Sequence, residues 1–264
     1  MRVLVTGASG TLGRDVLPVL LAAGLDVRAL SRSPRTGPPG VTWVRADLAT
    51  GDGLEEAVRD VDTVLHLASA PYRRGYTREV DVDGTRRLVA AARAADARHL
   101  VYVSIVGVDE VPWGYFRIKV QAERIVRSAG LGWTILRVTH FFPFIEAALR
   151  AAARLPVIPH DPGIRSQPVH TADVAHRLLA TVTAGPTDDV EEFGGPEVLT
   201  LREAERQWLE LTGTRRALVP VRLPGRLGAA FRAGHFTTAA EPVGTVTWRD
   251  YLTRTPAVTM KPGQ

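Results

Sequence analysis

The chain has 264 residues (28.6 kDa), 45% of them hydrophobic, with a mean hydropathy near zero, enough for one sizeable core. It has no cysteine, which excludes disulfides, thiolate chemistry and cysteine-ligated metals. No apolar run has the length of a membrane helix, and the opening MRVLV reads as a strand rather than a leader, so a cytoplasmic protein without membrane partners is expected. The net charge of +5 and pI near 10.0 come from arginines scattered among acids, without the basic run or aromatic-basic face of a nucleic-acid binder.

RVLVT (2–6) is an apolar run ending in a glycine turn, and TLGRDVLPVLLAAG follows with Leu12, Val16, Val19 and Leu20 at helical spacing. Gly24 ends that helix and DVRALS (26–31) begins a second strand. Further strand-like runs are VTWVRADL (41–48), DTVLHLAS (62–69), HLVYVSIV (99–106) and GWTILRV (132–138). Helical segments at 53–60, 78–96 and 115–129 separate them. Buried-looking strands alternating with helices predict an α/β fold, a doubly wound parallel sheet covered on both faces.

After residue 140 the alternation weakens into shorter pieces. The expected organisation is a nucleotide-binding core over 1–140, a smaller C-terminal substrate lobe over 141–253, and a tail over 254–264.

VTGASGTLG places Gly7, Gly10 and Gly13 directly after the first strand and at the start of a helix. Gly7 permits the tight turn, Gly10 lets backbone approach a pyrophosphate, and Gly13 lets helix and strand pack closely. The helix N-terminus offers unpaired N–H groups to phosphate, with Ser9 and Thr11 as further donors. A dinucleotide is the implied ligand. The second strand ends in Ser31 and Arg32 with no acid until Asp47, which suits a 2′-phosphate and predicts NADP(H) over NAD(H). Asp47 and Leu48 are placed to border an adenine.

VPWGYFRIKVQAE (111–123) holds Tyr115 and, four residues on, Lys119, so the two share a helix face. Of the 33 basic residues only Lys119 and Lys261 are lysine, so Lys119 stands out in a chain that otherwise uses arginine. Ser104 ends the fifth strand. Hydride delivered to a carbonyl leaves charge on oxygen; Tyr115 has the proton, Ser104 a hydrogen bond, and Lys119 a cation that also suits ribose hydroxyls. The structural alternative is a partly buried aromatic beside a solvated lysine. After the sixth strand, Thr139, His140, Phe141 and Phe142 are expected to face a flat apolar substrate, although the phenylalanines would equally suit lobe packing. Thr171 is expected to cap a helix with Asp173 in its first turn. The seven histidines show no paired spacing, so no metal is expected.

TGASGTLG, ADL, VLHLAS, the Ser104 strand and YFRIK together resemble the short-chain dehydrogenase/reductase superfamily. More narrowly, VYVSIVGVD, YFRIKVQAERIVRSAGLGWTILRVTHFF and QPVHTADVA are similar to its atypical, NmrA-like NAD(P)H-binding branch, which includes quinone and triphenylmethane reductases as well as redox-sensing regulators. The resemblance runs to about residue 211 and implies a Rossmann-type core. It implies NADP(H) contacts at Gly7, Ser9, Gly10, Thr11, Leu12 and Gly13, at Ser31 and Arg32, at Asp47, Ala68 and Ser69, and at Lys119. Two departures stand out. Ser104 and Tyr115 are only eleven positions apart, and Asp81 and Asp83 stand where the wider family has a catalytic asparagine. The expected activity is NADPH-dependent reduction of a small carbonyl, quinone or conjugated aromatic acceptor, by a monomer or homodimer. The alternatives are a cofactor-sensing regulator without turnover and a sugar-nucleotide epimerase or dehydratase.

Overall fold

A computed structural model describes residues 1–71 and 73–254; apart from Arg254, the expected tail lies outside the described residues, as does Lys261. Seven parallel strands form the central sheet: β1 (Arg2–Thr6), β2 (Asp26–Ser31), β3 (Val41–Arg45), β4 (Thr63–His66), β5 (His99–Ile105), β6 (Gly132–Val138) and β9 (Asp189–Phe193). Their order is β3-β2-β1-β4-β5-β6-β9. β1 pairs with β2 on one side and β4 on the other, so the winding reverses there and opens a crevice at the strands' carboxyl ends.

The strands are short apolar runs because both faces are covered. α1 (Thr11–Ala22) and α7 (Thr171–Ala184) bury Leu12, Val16, Leu20, Val174 and Leu178 against one face. α2 (Leu54–Val58), α4 (Thr85–Ala94) and α5 (Gly114–Arg127) bury Leu54, Leu88, Ala122 and Val126 against the other. α4 is led in by a short helical turn, α3 (Tyr76–Arg78), and a π-helical turn over Glu79–Gly84.

The C-terminal half is less separate than expected. α7 and β9 return to complete the core sheet, so the boundary placed at residue 140 does not divide the chain cleanly. The remaining pieces form the lobe. They are α6 (Phe142–Ala152), β7 (Val157–His160), β8 (Arg165–Ser166), β10 (Leu199–Thr200), α8 (Leu201–Thr212), β11 (Ala217–Pro220), α9 (Gly225–Arg232) and α10 (Trp248–Arg254). Its core gathers Phe142, Leu149, Ile158, Trp208 and Trp248. A second cluster, Val108, Val111, Phe116 and Phe236 with Trp113 and Phe231 against it, joins the lobe to the loop after β5.

The cap of α7 also differs from expectation. His170 Nδ1 accepts from the Ala172 N–H at 3.1 Å and is the N-cap. Thr171 instead donates to Asp15 on α1, and Asp173 accepts from the N–H groups of Thr245 and Val246.

Candidate functional site

The glycine turn is sterically closed to any side chain at two points. Gly7 sits at φ +67°, and a Cβ there would lie 2.7 Å from Ala68 N. At Gly13 a Cβ would meet Gly7 O at 2.4 Å and Ala8 Cα at 2.6 Å. This close approach sets α1 directly against β1. Gly10, at the N-cap, has no side chain to occupy the first N–H groups of α1, which stay available to an anion.

A cleft runs over this turn in two halves that share Gly7, Gly10, Leu67, Ser69 and Pro71. One half, about 460 Å³, is bounded by Ser9, Ser31, Arg32, Asp47, Leu48, Ala68 and Ser69. Among the lining residues that sequence reasoning missed, Arg35, Arg73 and Tyr76 bring charge and an aromatic ring. Arg32 donates to Tyr76 Oη at 2.5 Å, and both Arg32 and Arg73 lie within 6 Å of the Tyr76 ring centre. Arginine 35 packs over Trp43 at 6.0 Å. This half of the cleft is therefore cationic.

The other half, about 530 Å³, is bounded by Thr11, Leu12, Gly13, Ser104, Tyr115, Lys119, Thr139, His140 and Phe141. Trp113, Phe116, Pro143 and Phe144 add apolar wall that sequence reasoning did not assign. Phe142 lies elsewhere: its fully buried ring packs on Trp248 and Tyr251 in the lobe core, outside the cleft lining. The register of α6 explains this, since Phe141 and Phe144 share one face while Phe142 points inward.

Lys119 is 4% exposed and donates to Val103 O at 2.8 Å, with Nζ 4.1 Å from the centre of the Tyr102 ring. Burial pulls its pKa down to about 8, although Asp81 and Glu123 act in the opposite direction. Glu123, one turn further along α5, accepts from Arg137 of β6 at 3.0 and 2.8 Å, and Arg137 also holds Asp109. That buried network fixes α5, and with it Lys119 and Tyr115, to the sheet. His140 stacks on Phe144 at 5.6 Å and meets Phe236 edge-on at 4.7 Å; burial lowers its pKa to about 4, so it is neutral in ordinary buffers.

The loop after β4 is held by a directed chain of hydrogen bonds. Thr85 Oγ1 donates to Asp81 O at 2.7 Å, so it accepts from His66 Nε2 at 2.9 Å. His66 Nδ1 then accepts from Thr6 Oγ1 at 2.7 Å, and Thr6 Oγ1 accepts from the Ala68 N–H at 3.2 Å. Burial, reinforced by the Lys119 charge, holds His66 neutral with a pKa of about 3. β1, β4 and the π-helical turn are thereby locked in one register beneath the cleft.

Two hydroxyls stand out by contrast. Ser104 Oγ and Thr139 Oγ1, each at most 2% exposed, have no hydrogen-bond partner among the described residues, yet both line the cleft. Buried polar groups without partners are uncommon and point to a ligand. A glycine cradle, a bare helix N-terminus, a cationic half-cleft and two waiting hydroxyls fit a dinucleotide.

Comparison with known proteins decides the family. A family model described as NAD(P)H-binding matches residues 7–184. The chain belongs to this NAD(P)H-binding family. A (4-alkanoyl-5-oxo-2,5-dihydrofuran-3-yl)methyl phosphate reductase from Streptomyces griseus is 32% identical over 220 residues, 80% of this chain and 74% of the relative. A 4-hydroxy-2-methyl-3-oxo-4-farnesyl-3,4-dihydroquinoline-1-oxide ketoreductase from Stigmatella aurantiaca is 31% identical, over 72% of this chain and 67% of the relative. In fold, the chain is similar to an NADPH-dependent quinone oxidoreductase from Escherichia coli solved with NADPH, with a TM-score of 0.78 at 21% identity over 96% of this chain and 99% of that one. Other solved neighbours of this NAD(P)H-binding fold hold NAD. Within the family, its similarity to relatives named as reductases makes the chain an NAD(P)H-dependent oxidoreductase.

Proposed function

We propose that the protein is an NADPH-dependent reductase acting on a small, flat, largely apolar carbonyl, quinone or conjugated aromatic compound. The observation that supports this best is the division of one cleft into a half bordered by Arg32, Arg35 and Arg73 and a half walled by Trp113, Tyr115, Phe116, Phe141 and Phe144. Guanidinium groups match a 2′-phosphate bidentately, and an aspartate at the end of β2, which would repel it, is replaced by Ser31 and Arg32.

NADPH, when bound, would supply the hydride for the acceptor carbon. The chain does the rest. Lys119, held at Val103 O and lining the cleft, is the cation that would hold ribose hydroxyls. Ser104 and Thr139 offer their unpaired hydroxyls to polar atoms of cofactor or acceptor. Tyr115 supplies a proton to the acceptor oxygen. The aromatic wall excludes water and stacks on a planar acceptor, while His140 offers a hydrogen bond without charge. A small-molecule acceptor, a cytoplasmic setting and action as a monomer or homodimer without nucleic acid or membrane belong to the same reading; light scattering on the purified protein tests the assembly.

The deciding experiment titrates NADPH and NADH against wild type and Arg32→Glu, then follows NADPH oxidation with quinones, dyes and aldehydes. The variant loses at least about tenfold in NADPH affinity, from one charge-assisted bond, and little in NADH affinity. Equal losses for both cofactors refute the phosphate assignment. Tight binding without oxidation of NADPH by any acceptor points to a regulator instead.

A further inference from the structure

Asp81 lies in the π-helical turn, 1% exposed, on an element packed against the α5 helix that carries Tyr115 and Lys119. Its two carboxylate oxygens are both used on the loop after β4. Asp81 Oδ1 accepts from Ser69 Oγ at 2.6 Å, and Asp81 Oδ2 accepts from the Ala70 N–H at 2.9 Å. Ser69 Oγ also lies 2.6 Å from Tyr115 Oη. A serine hydroxyl has one proton. Because Ser69 gives that proton to the carboxylate, Ser69 Oγ can only accept from Tyr115, and the chain runs Tyr115 O–H to Ser69 O–H to Asp81.

The direction has a chemical consequence. A phenol that donates into an anion-anchored hydroxyl is favoured in its protonated form, and a phenolate there would face the Asp81 charge through one serine. We propose that Asp81 and Ser69 are positioning residues that hold Tyr115 as a protonated phenol, so that the resting site is set for reduction rather than for oxidation of an alcohol. The inference rests on the reductase reading above. As reduction puts an electron pair on the acceptor oxygen, the Tyr115 O–H bond breaks and the proton bonds to that oxygen. The electron pair stays on Tyr115, and solvent water returns the proton. Ser69 can meanwhile turn its O–H from Asp81 to the phenolate, since Ala70 still holds the carboxylate.

Among the described residues, the titratable groups coupled to this chain include Lys119 and Glu123 on α5, Tyr102 on β5 and His66 at the end of β4. His66 is neutral, Glu123 adds to the negative side, and Lys119 opposes it. Lys119, with its pKa lowered to about 8, opposes it only until it loses its proton below the range where a phenol titrates. The effect of removing Asp81 on Tyr115 therefore comes from the lost carboxylate charge itself.

The test is an ultraviolet pH titration of tyrosinate in the full chain, with the Tyr115 contribution isolated by subtracting Tyr115→Phe. In Asp81→Asn the amide donates to Ser69, which turns its proton toward Tyr115, so both the charge and the hydrogen bond now favour phenolate. A unit charge removed at roughly 5 Å lowers the Tyr115 midpoint by about one to two pH units. Ser69→Ala, which leaves both ends of the chain in place, lowers it by less, and serves if Asp81→Asn does not fold. In turnover, the alkaline fall in rate moves to lower pH in step with the midpoint. A midpoint unchanged or raised in both variants overturns the inference, as does full turnover with an unaltered pH profile in Tyr115→Phe. If the midpoint falls as stated but wild type oxidises NADPH with no acceptor, the positioning pair stands and the reductase reading fails.

Discussion

Lys119→Met separates what the lysine does for the fold from what it does for the cofactor. Lys119 is 4% exposed, and burial brings its pKa from 10.5 to about 8. The difference of roughly 2.5 units corresponds to about 3 kcal/mol by which the folded state disfavours the ammonium. Below about pH 8 both folded and unfolded chains hold the proton, so the penalty is fully present. As pH rises from about 8 to 10.5 the folded chain releases the proton while the unfolded chain keeps it, and the unfolded state binds more protons; stability therefore rises with pH. Methionine has no such titration. Urea unfolding at about pH 7.5 and pH 9.5 reads the effect as the difference between variant and wild type. That difference shifts by about 2 kcal/mol in favour of wild type over the interval. Shared contributions, such as the Tyr102 phenol whose pKa burial raises, cancel in the comparison. NADPH affinity falls about 10–100-fold in the same variant through loss of one charge-assisted hydrogen bond. A stability difference that does not change with pH refutes the account of a buried, cation-disfavouring lysine.

Other perturbations probe separate parts of the site. Gly13→Ala places a methyl 2.4 Å from Gly7 O, and separating α1 from β1 costs about 1–3 kcal/mol in urea denaturation. Gly10→Ala meets Gly7 O only at 3.1 Å and leaves stability within about 1 kcal/mol, yet it projects into the cleft and weakens NADPH binding in a fluorescence titration. Glu123→Gln, at the 2% exposed partner of Arg137, costs about 3 kcal/mol, because the guanidinium keeps Asp109 but loses its buried counter-ion. His140, with its pKa lowered to about 4 by burial, contributes no inflection to kcat/KM between pH 5.5 and 8 (about the range of an ordinary histidine). His140 stabilises the fold less as pH falls from about 6.5 to 4, since the unfolded chain takes up the proton first; His140→Gln flattens that part of the acid-unfolding profile.

The core sheet was legible in the sequence because its inner parallel strands, covered on both faces, are apolar runs at 2–6, 26–31, 63–66, 99–105 and 132–138. The edge strand at 41–45, with no fully buried position, still carries Val41, Trp43 and Val44. The seventh, DVEEF (189–193), was legible only as one of the shorter pieces after residue 140 and not as part of the core sheet: it is an edge strand with three partly buried positions, so its composition is mixed. The glycine turn was legible for a steric reason, since Gly7 and Gly13 answer to backbone atoms 2.4–2.7 Å from any added Cβ. Arg35, Arg73 and Tyr76 were not, because they come from loops and a helix start that only the fold brings to Arg32. Phe142 was expected at the cleft and packs the lobe instead, since a run of aromatics on a helix does not declare its rotation until a partner surface, here Trp248 and Tyr251, is known.

What the sequence could least reveal is direction, in the literal sense of which atom donates. Asp81 and Ser69 are twelve residues apart, and Tyr115 lies another thirty-four beyond Asp81. Their meeting depends on a π-helical turn that rotates Asp81 toward the loop after β4. A regular α-helix through 76–94 would present a different face there, and π turns of this kind are recurrent at functional sites because they redirect a side chain without ending the helix. The same turn offers its backbone carbonyl at Asp81 to Thr85, and through Thr85 and His66 ties itself to Thr6 and Ala68. One irregular turn therefore holds both the glycine loop's neighbour and the polarity of Tyr115. The strongly perturbed groups of the cleft, Lys119 and His140, gather around that geometry, with unpartnered Ser104 and Thr139 beside them, as expected where stability has been exchanged for chemistry.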